Sequence, residues 1–446
     1  MRAGKAGRRR KPPRKIKQPI GKALVRLIRH CWPRFWQALE EIDDARDDPV
    51  YAMRQVLSLA LLMYACRAPS LRALDRISED AVFWDNWCVF SRARTDAVMC
   101  SRQMTNVLAQ TDPDEIGALR PRIIKGLIRQ KQLANAFLLG HLMFVSDGTG
   151  IFSSSKFHCP RCLTQEHQDG SVTYMHQVLE VKVITWDGLA LSALTEPQWN
   201  PEEGKYDKQD SESKAFKRML PRLKEEFPRQ PIVHILDALY CNGPTFRAIG
   251  QLKHKFICCF QPGAIPTLYE EALTLVALNP LNAIRQTVGP KDHHVVRGYS
   301  WVNDLEYDGR TLAFVMCQET VHGKTTTFTF LTDFPVDRDN VIEIANGGRK
   351  RWTIENEGFN EQKTGYELEH FCDCHNFNTM LCLYVLLQIA HLFMQLLAKS
   401  DLIEPVANLT FLAALLLEAL RNLPLPEDLF APDLPPFQIR FAKAPT

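Results

Sequence analysis

The hydrophobic periodicity changes at Leu142, and that switch constrains the fold more than any other feature of the chain. Before it, apolar residues recur at helical spacing; after it they come in short runs closed by turn residues. Leu142-Met143-Phe144-Val145 ends in Ser146-Asp147-Gly148. Leu179 to Thr185 and Leu189 to Leu194 read as two further strands around an Asp187-Gly188 hairpin turn. Asp210 to Phe227 reads as an amphipathic helix, with a kink expected at Pro221. Ile232 to Leu236 is a fourth strand ending in Asp237, Pro244 to Leu252 a short helix, and Lys255 to Phe260 a fifth strand. The order β-β-β-α-β-α-β predicts an α/β fold built on a mixed sheet with flanking helices.

The regions around this core read differently. Val295 to Glu306, Thr311 to Thr320 and Thr325 to Thr332 have strand character and are joined by Asp308-Gly309 and His322-Gly323 turns, an antiparallel meander. It reads as an insertion. Upstream, Tyr51 to Cys66, Arg94 to Ala109 and Asp114 to Leu138 read as helices, with no strand pattern. The chain of 446 residues therefore divides into a basic arm (1–17), an all-helical domain (18–140), a core in two parts (141–262 and 346–400), a β-rich insertion (263–345) and a C-terminal helix with a Pro-rich tail (401–446).

The net charge is only +3, but no Asp or Glu occurs between Met1 and Leu39, where Arg8, Arg9, Arg10, Lys11, Arg14, Lys15 and Lys17 cluster. Such an arm suits nucleic acid or an anionic surface, or is a solubilising tail. No apolar stretch follows it as a secretory signal requires. The thirteen cysteines are odd in number and scattered, which fits reduced thiols in a cytoplasmic setting. The apolar run Met380 to Leu397 is long enough to span a bilayer, but Gln388, His391 and Gln395 inside it favour a buried helix.

The stretch Arg351 to Lys363 carries the chemistry. Read as a helix, it stacks Arg351, Glu355, Phe359 and Lys363 on one stripe, a carboxylate between two cations, with Arg349 and Lys350 just upstream. The plain alternative is a surface helix with an i,i+4 ion pair. Asp147 and Asp237 follow the first and fourth strands. If those strands are parallel neighbours, both aspartates emerge at one sheet edge, where ligand sites in open α/β sheets lie. Two divalent cations about 3.5–4 Å apart need carboxylates converging from different elements, and such a pair serves phosphoryl transfer. Alternatively each Asp is a turn or cap residue.

The strand order, with Asp147, Asp237 and Glu355 on successive elements, resembles the RNase H-like core of DDE transposases. The late motif resembles the insertion-sequence branch with a Tyr-Arg-Glu-Lys signature, in which three residues separate Arg from Glu, as between Arg351 and Glu355. A β-rich insertion before the Glu is a feature of that branch. Two positions depart from it: Gly348 stands where the Tyr falls, and Gln362 where the Lys falls, with Lys363 one residue late. The resemblance implies Asp147, Asp237 and Glu355 as catalytic ligands of Mg²⁺ or Mn²⁺, with Arg349, Lys350, Arg351 and Lys363 at the DNA. It implies nicking of double-stranded DNA at terminal inverted repeats, joining of the 3′ hydroxyl to target DNA, and action as a homodimer without a membrane. The alternatives are another RNase H-like nuclease, or a transposase-derived DNA-binding protein whose chemistry has lapsed.

Cys159 and Cys162 have zinc-knuckle spacing, with His167 and His176 downstream as candidate co-ligands. Free cysteines in a hairpin are the alternative. A second group, His370, Cys372, Cys374 and His375, follows the Arg351 stretch.

Overall fold

The computed structural model describes residues 19–201, 208–289, 295–368, 376–430, 439 and 441. The basic arm at 1–17 and the group His370, Cys372, Cys374 and His375 lie outside the described residues. The fold is mixed α/β, with one mixed sheet of eleven strands.

The strands are β1 (Phe137–Leu138), β2 (His141–Ser154), β3 (Leu163–Glu166), β4 (Val172–Ile184), β5 (Ala190–Gln198), β6 (Ile232–Leu236), β7 (Lys255–Cys259), β8 (Ala283–Val288), β9 (Val295–Tyr307), β10 (Arg310–Val321) and β11 (Lys324–Thr332). β2, β4 and β5 pair antiparallel, whereas β2, β6 and β7 pair in parallel. The centre therefore runs β5-β4-β2-β6-β7. β11 then pairs antiparallel with β7, and β10, β9 and β8 follow, so residues 263–345 extend the same sheet.

Several boundaries differ from the sequence reading. β2 does not stop at Val145 but runs through Asp147 to Ser154, with an irregularity between Gly150 and Phe152. Its central residues pair on both sides, and its outer half pairs with β4, which extends it past the turn-like Ser-Asp-Gly. The helix Glu212–Glu226 is continuous across Pro221. Pro221 lies on its exposed face, where the carbonyl it leaves unbonded meets water. Within 263–345 a helix, Pro266–Leu278, and the strand β8 precede the meander. The span Asp114 to Leu138 is broken into Pro113–Gly117, Leu119–Arg129, a 3-10 turn and β1.

The apolar run at 380–397 lies in the helix Phe377–Lys399, the one described helix long and apolar enough to cross a membrane; its apolar window is entirely buried in the protein. Helices Ile20–Cys31, Met53–Ala65 and Ser101–Leu108 pack on it, and so does β5. Phe35 meets Phe393 edge to face with ring centres 5.3 Å apart. The N-terminal helices thus share one hydrophobic core with the sheet. They do not form a core of their own, because their apolar faces are completed by the late helix.

Candidate active site

β2 and β6 pair from Leu142 with Ile232 to Val145 with Ile235. Continuing that register brings Asp147 level with Asp237, one strand spacing (about 4.8 Å) away. Asp147 is held within β2, its Oδ1 accepting from the Gly148 N–H at 3.1 Å. Asp237 is the first residue beyond β6, and its Oδ1 accepts from the Leu239 N–H at 2.8 Å, opening the turn Ala238–Tyr240.

Glu355 comes from a π-helical turn, Ile354–Asn360, and not from a regular α-helix. Such turns occur often at functional sites. Arg351 Nη1 donates to Glu355 Oε1 at 2.7 Å and lies 3.9 Å from Asp147 Oδ2. The guanidinium thus stands between two of the three carboxylates. The widened turn alters the expected stripe. Phe359 is buried with the Lys182 ammonium 5.2 Å from its ring centre, whereas Lys363 is exposed on the next helix, Glu361–Gly365. Glu357 points elsewhere: the charges acting on it are Glu361, Lys399 and Lys350.

A fourth carboxylate joins the site. Glu212 approaches Gly148 so closely that a Cβ there would collide with its carboxylate, and Tyr240 donates its hydroxyl to Glu212 Oε1 at 2.5 Å. Burial, then the charges of Glu212, Glu355 and Asp237, push the Asp147 carboxyl up to about 7 against the pull of Arg351. Burial also raises the Glu212 carboxyl, with Asp237 adding to it. The sequence held a signal for Glu212. It lies three and four residues before Ala215 and Phe216, on the apolar stripe of its helix, where an acid is out of place.

Two of the expected DNA-contacting cations are engaged within the protein. Arg349 forms a paired contact with Glu319 on β10, at 2.8 and 3.1 Å, and stacks over Phe328. Lys350 donates to the Trp186 carbonyl at 2.7 Å. Arg349 ends the helix Val341–Arg349 and Lys350 caps it, about 100° further round, so the two side chains reach different partners. The two departures from the signature also have steric reasons. A side chain at Gly348 would meet the Phe330 ring, and Gln362 is fully buried, exchanging hydrogen bonds with Gln388 at 2.9 Å.

The carboxylates stand wider apart than a tight cage. Among the described residues only Cys159, Cys162 and His176 bring three ligand atoms within 4.8 Å of one another. His167 does not join them: its Nε2 meets Thr173 Oγ1 at 2.8 Å. β3 carries the chain from the Cys pair to the far turn of its hairpin with β4, so His167 ends up remote from His176. The donor set at Asp147, Asp237, Glu355 and Glu212 is all carboxylate oxygen, and burial first, then the neighbouring negative charges, disfavours the charged form of Asp147, a cost that a divalent cation would relieve. These residues fit Mg²⁺ or Mn²⁺. Compared with known protein families and with curated proteins, the chain matches none.

Proposed function

We propose that the chain is a DNA transposase with an RNase H-like core, of the DDE kind in the insertion-sequence branch. The observation that carries this is the parallel register of β2 and β6, which when continued brings Asp147 level with Asp237 just beyond β6, with Glu355 tied to Asp147 through Arg351. The central order β5-β4-β2-β6-β7, three antiparallel strands continued by two parallel ones, supports the core assignment.

Asp147, Asp237 and Glu355 would hold Mg²⁺ or Mn²⁺, which supplies activation of the attacking oxygen and stabilisation of the leaving oxygen in phosphoryl transfer. Arg351 holds Glu355 beside Asp147 and sets a positive charge where a DNA phosphate would lie. Exposed Lys363 and the basic arm add charge for DNA contacts, which set affinity and carry no sequence information themselves. Gly148, with no side chain, leaves room for Glu212 against β2. The substrates on this reading are double-stranded DNA with terminal inverted repeats and target DNA, bridged by a homodimer in the cytoplasm.

The test uses DNA flanking the coding region, with the full-length protein and Mg²⁺. Asp147→Ala and Asp237→Ala each abolish nicking while DNA binding stays within about threefold. Normal cutting by either variant overturns the site. A labelled 3′ hydroxyl end that is nicked but never joined to target DNA would make the protein a nuclease without strand transfer.

A further inference from the structure

We infer that Cys159, Cys162 and His176 form a zinc site that fastens the connection between β2 and β3 to β4. His176 sits opposite Phe152 on β4, well along the sheet from the pair Asp147 and Glu180. The site is thus separate from the carboxylates and does not rest on the transposase reading.

The geometry fits zinc with little movement. The two sulfurs lie 3.8 Å apart, and each is 3.3 Å from His176 Nε2. A tetrahedral ion with bonds of about 2.3 Å to sulfur and about 2.0–2.1 Å to nitrogen sets the sulfurs about 3.8 Å apart and each about 3.6 Å from the nitrogen. The turn is already formed as a knuckle: the Cys162 N–H donates to the Cys159 carbonyl at 3.1 Å, and the Cys159 N–H points at Cys162 Sγ at 3.3 Å.

The trio is otherwise poorly satisfied. Nε2 has one lone pair when neutral, so only one of two thiols can donate to it. His176 is buried, and its Nδ1 has no hydrogen-bond partner among the described residues. Zinc replaces both thiol protons and uses all three donors at once: two protons leave as two thiolates and one imidazole bind. Cys159 is half-buried and Cys162 buried, so a fourth ligand, such as water, would reach the ion from the Cys159 side.

The surroundings show what the site holds. The His176 ring lies 5.1 Å from Phe377, the first residue of the buried helix Phe377–Lys399. Phe377 stacks on Trp199 at 5.7 Å, and Arg161, between the two cysteines, lies over Trp199 at 4.3 Å. Zinc at the knuckle would therefore tie the β2–β3 connection to His176, whose ring already packs on the start of the helix Phe377–Lys399.

The experiment is metal analysis of tag-free, full-length protein purified without chelators. About one zinc per chain is expected, and Cys159→Ser and Cys162→Ser lose it. His167→Ala keeps it, and His176→Cys keeps it as a three-sulfur site. Should the Ser variants not fold, wild-type protein is stripped with a chelator and reloaded with Co²⁺. Tetrahedral visible bands with sulfur charge transfer, at one equivalent, then support the site. Protein that is metal-free as isolated and takes up neither ion stoichiometrically overturns it, as does zinc retained by Cys159→Ser but lost by His167→Ala.

Discussion

Arg351 and Glu355 share a 2.7 Å hydrogen bond one turn apart, and the same guanidinium nitrogen lies 3.9 Å from Asp147. The contact holds Glu355 beside Asp147, whose carboxyl feels its charge, while Glu357 is set among Lys350, Lys399 and Glu361. Glu355→Gln is expected to lower nicking by at least a hundredfold, and Glu357→Gln by less than threefold. The two rates measured side by side on nicked-plasmid gels decide this. The reverse order would mean the turn presents the other carboxylate.

Glu212 adds negative charge beside Asp147 from the opposite helix. Its removal weakens the attraction for a divalent cation without removing any of the three expected ligands. Glu212→Gln should raise the Mg²⁺ concentration giving half-maximal nicking about tenfold. Tyr240→Phe, which removes only the hydroxyl bonded to Glu212, should change it by less than threefold. Equal Mg²⁺ curves for Glu212→Gln and wild type would exclude Glu212 from the site.

Much of this arrangement was legible because strands and turns leave local marks. Ile232 to Leu236 is apolar but for His234, as a strand buried on both faces favours, and it was found to the residue. Asp237 followed from that strand end; Asp147 was read from one as well, although β2 runs on past it. The partners of those strands did not follow, because pairing is set by packing across the chain. Glu180 and Lys182 alternate with Leu179, Val181 and Val183, the pattern of a strand with one wet face. Here that face is covered by the central helix and the π-helical turn. Glu180 is fully buried and accepts from Ser192, Thr195 and Tyr384, at 2.5, 2.6 and 3.0 Å. Nothing local announces a covering element about two hundred residues away. The π-helical turn was also hidden, since its sequence scans equally well as an α-helix.

Lys182 supplies a pH prediction. It is fully buried, and its ammonium has no hydrogen-bond partner among the described residues. Burial pushes it down to about 8, with Arg120 adding to this and Glu180 and Glu361 opposing. The folded value is below the unfolded one, so between about pH 8 and about 10.4 the unfolded state binds more protons and stability rises with pH. Lys182→Met should be more stable than wild type by on the order of 3 kcal/mol at pH 7, with the gap closing toward pH 10. Urea unfolding at pH 7 and pH 9.5 checks it; a gap that does not shrink would mean Lys182 is not destabilised by its charge.

Gly358 sits in the π-helical turn directly over that lysine. A Cβ added there would lie 3.2 Å from Lys182 Nζ, so the close approach at this glycine is made by a side chain of β4. Two effects of Gly358→Ala oppose each other. Alanine is favoured over glycine in a helix by about 1 kcal/mol. Against this, the methyl group crowds an ammonium that is enclosed on all sides and must shift by a few tenths of an ångström. Lys182 is long, but its neighbours are close-packed, so the crowding wins and Gly358→Ala should destabilise the wild-type protein by about 1 kcal/mol. Shortening the lysine removes the obstacle. In a Lys182→Ala background the same Gly358→Ala change should stabilise by about 1 kcal/mol, leaving a coupling of about 2 kcal/mol between two residues far apart in sequence. Denaturant midpoints of the four proteins close the cycle. The turn also carries Glu355, so nicking by Gly358→Ala should fall in wild type and recover in the double variant. Additive stabilities would show that the glycine is there for the π-turn backbone alone.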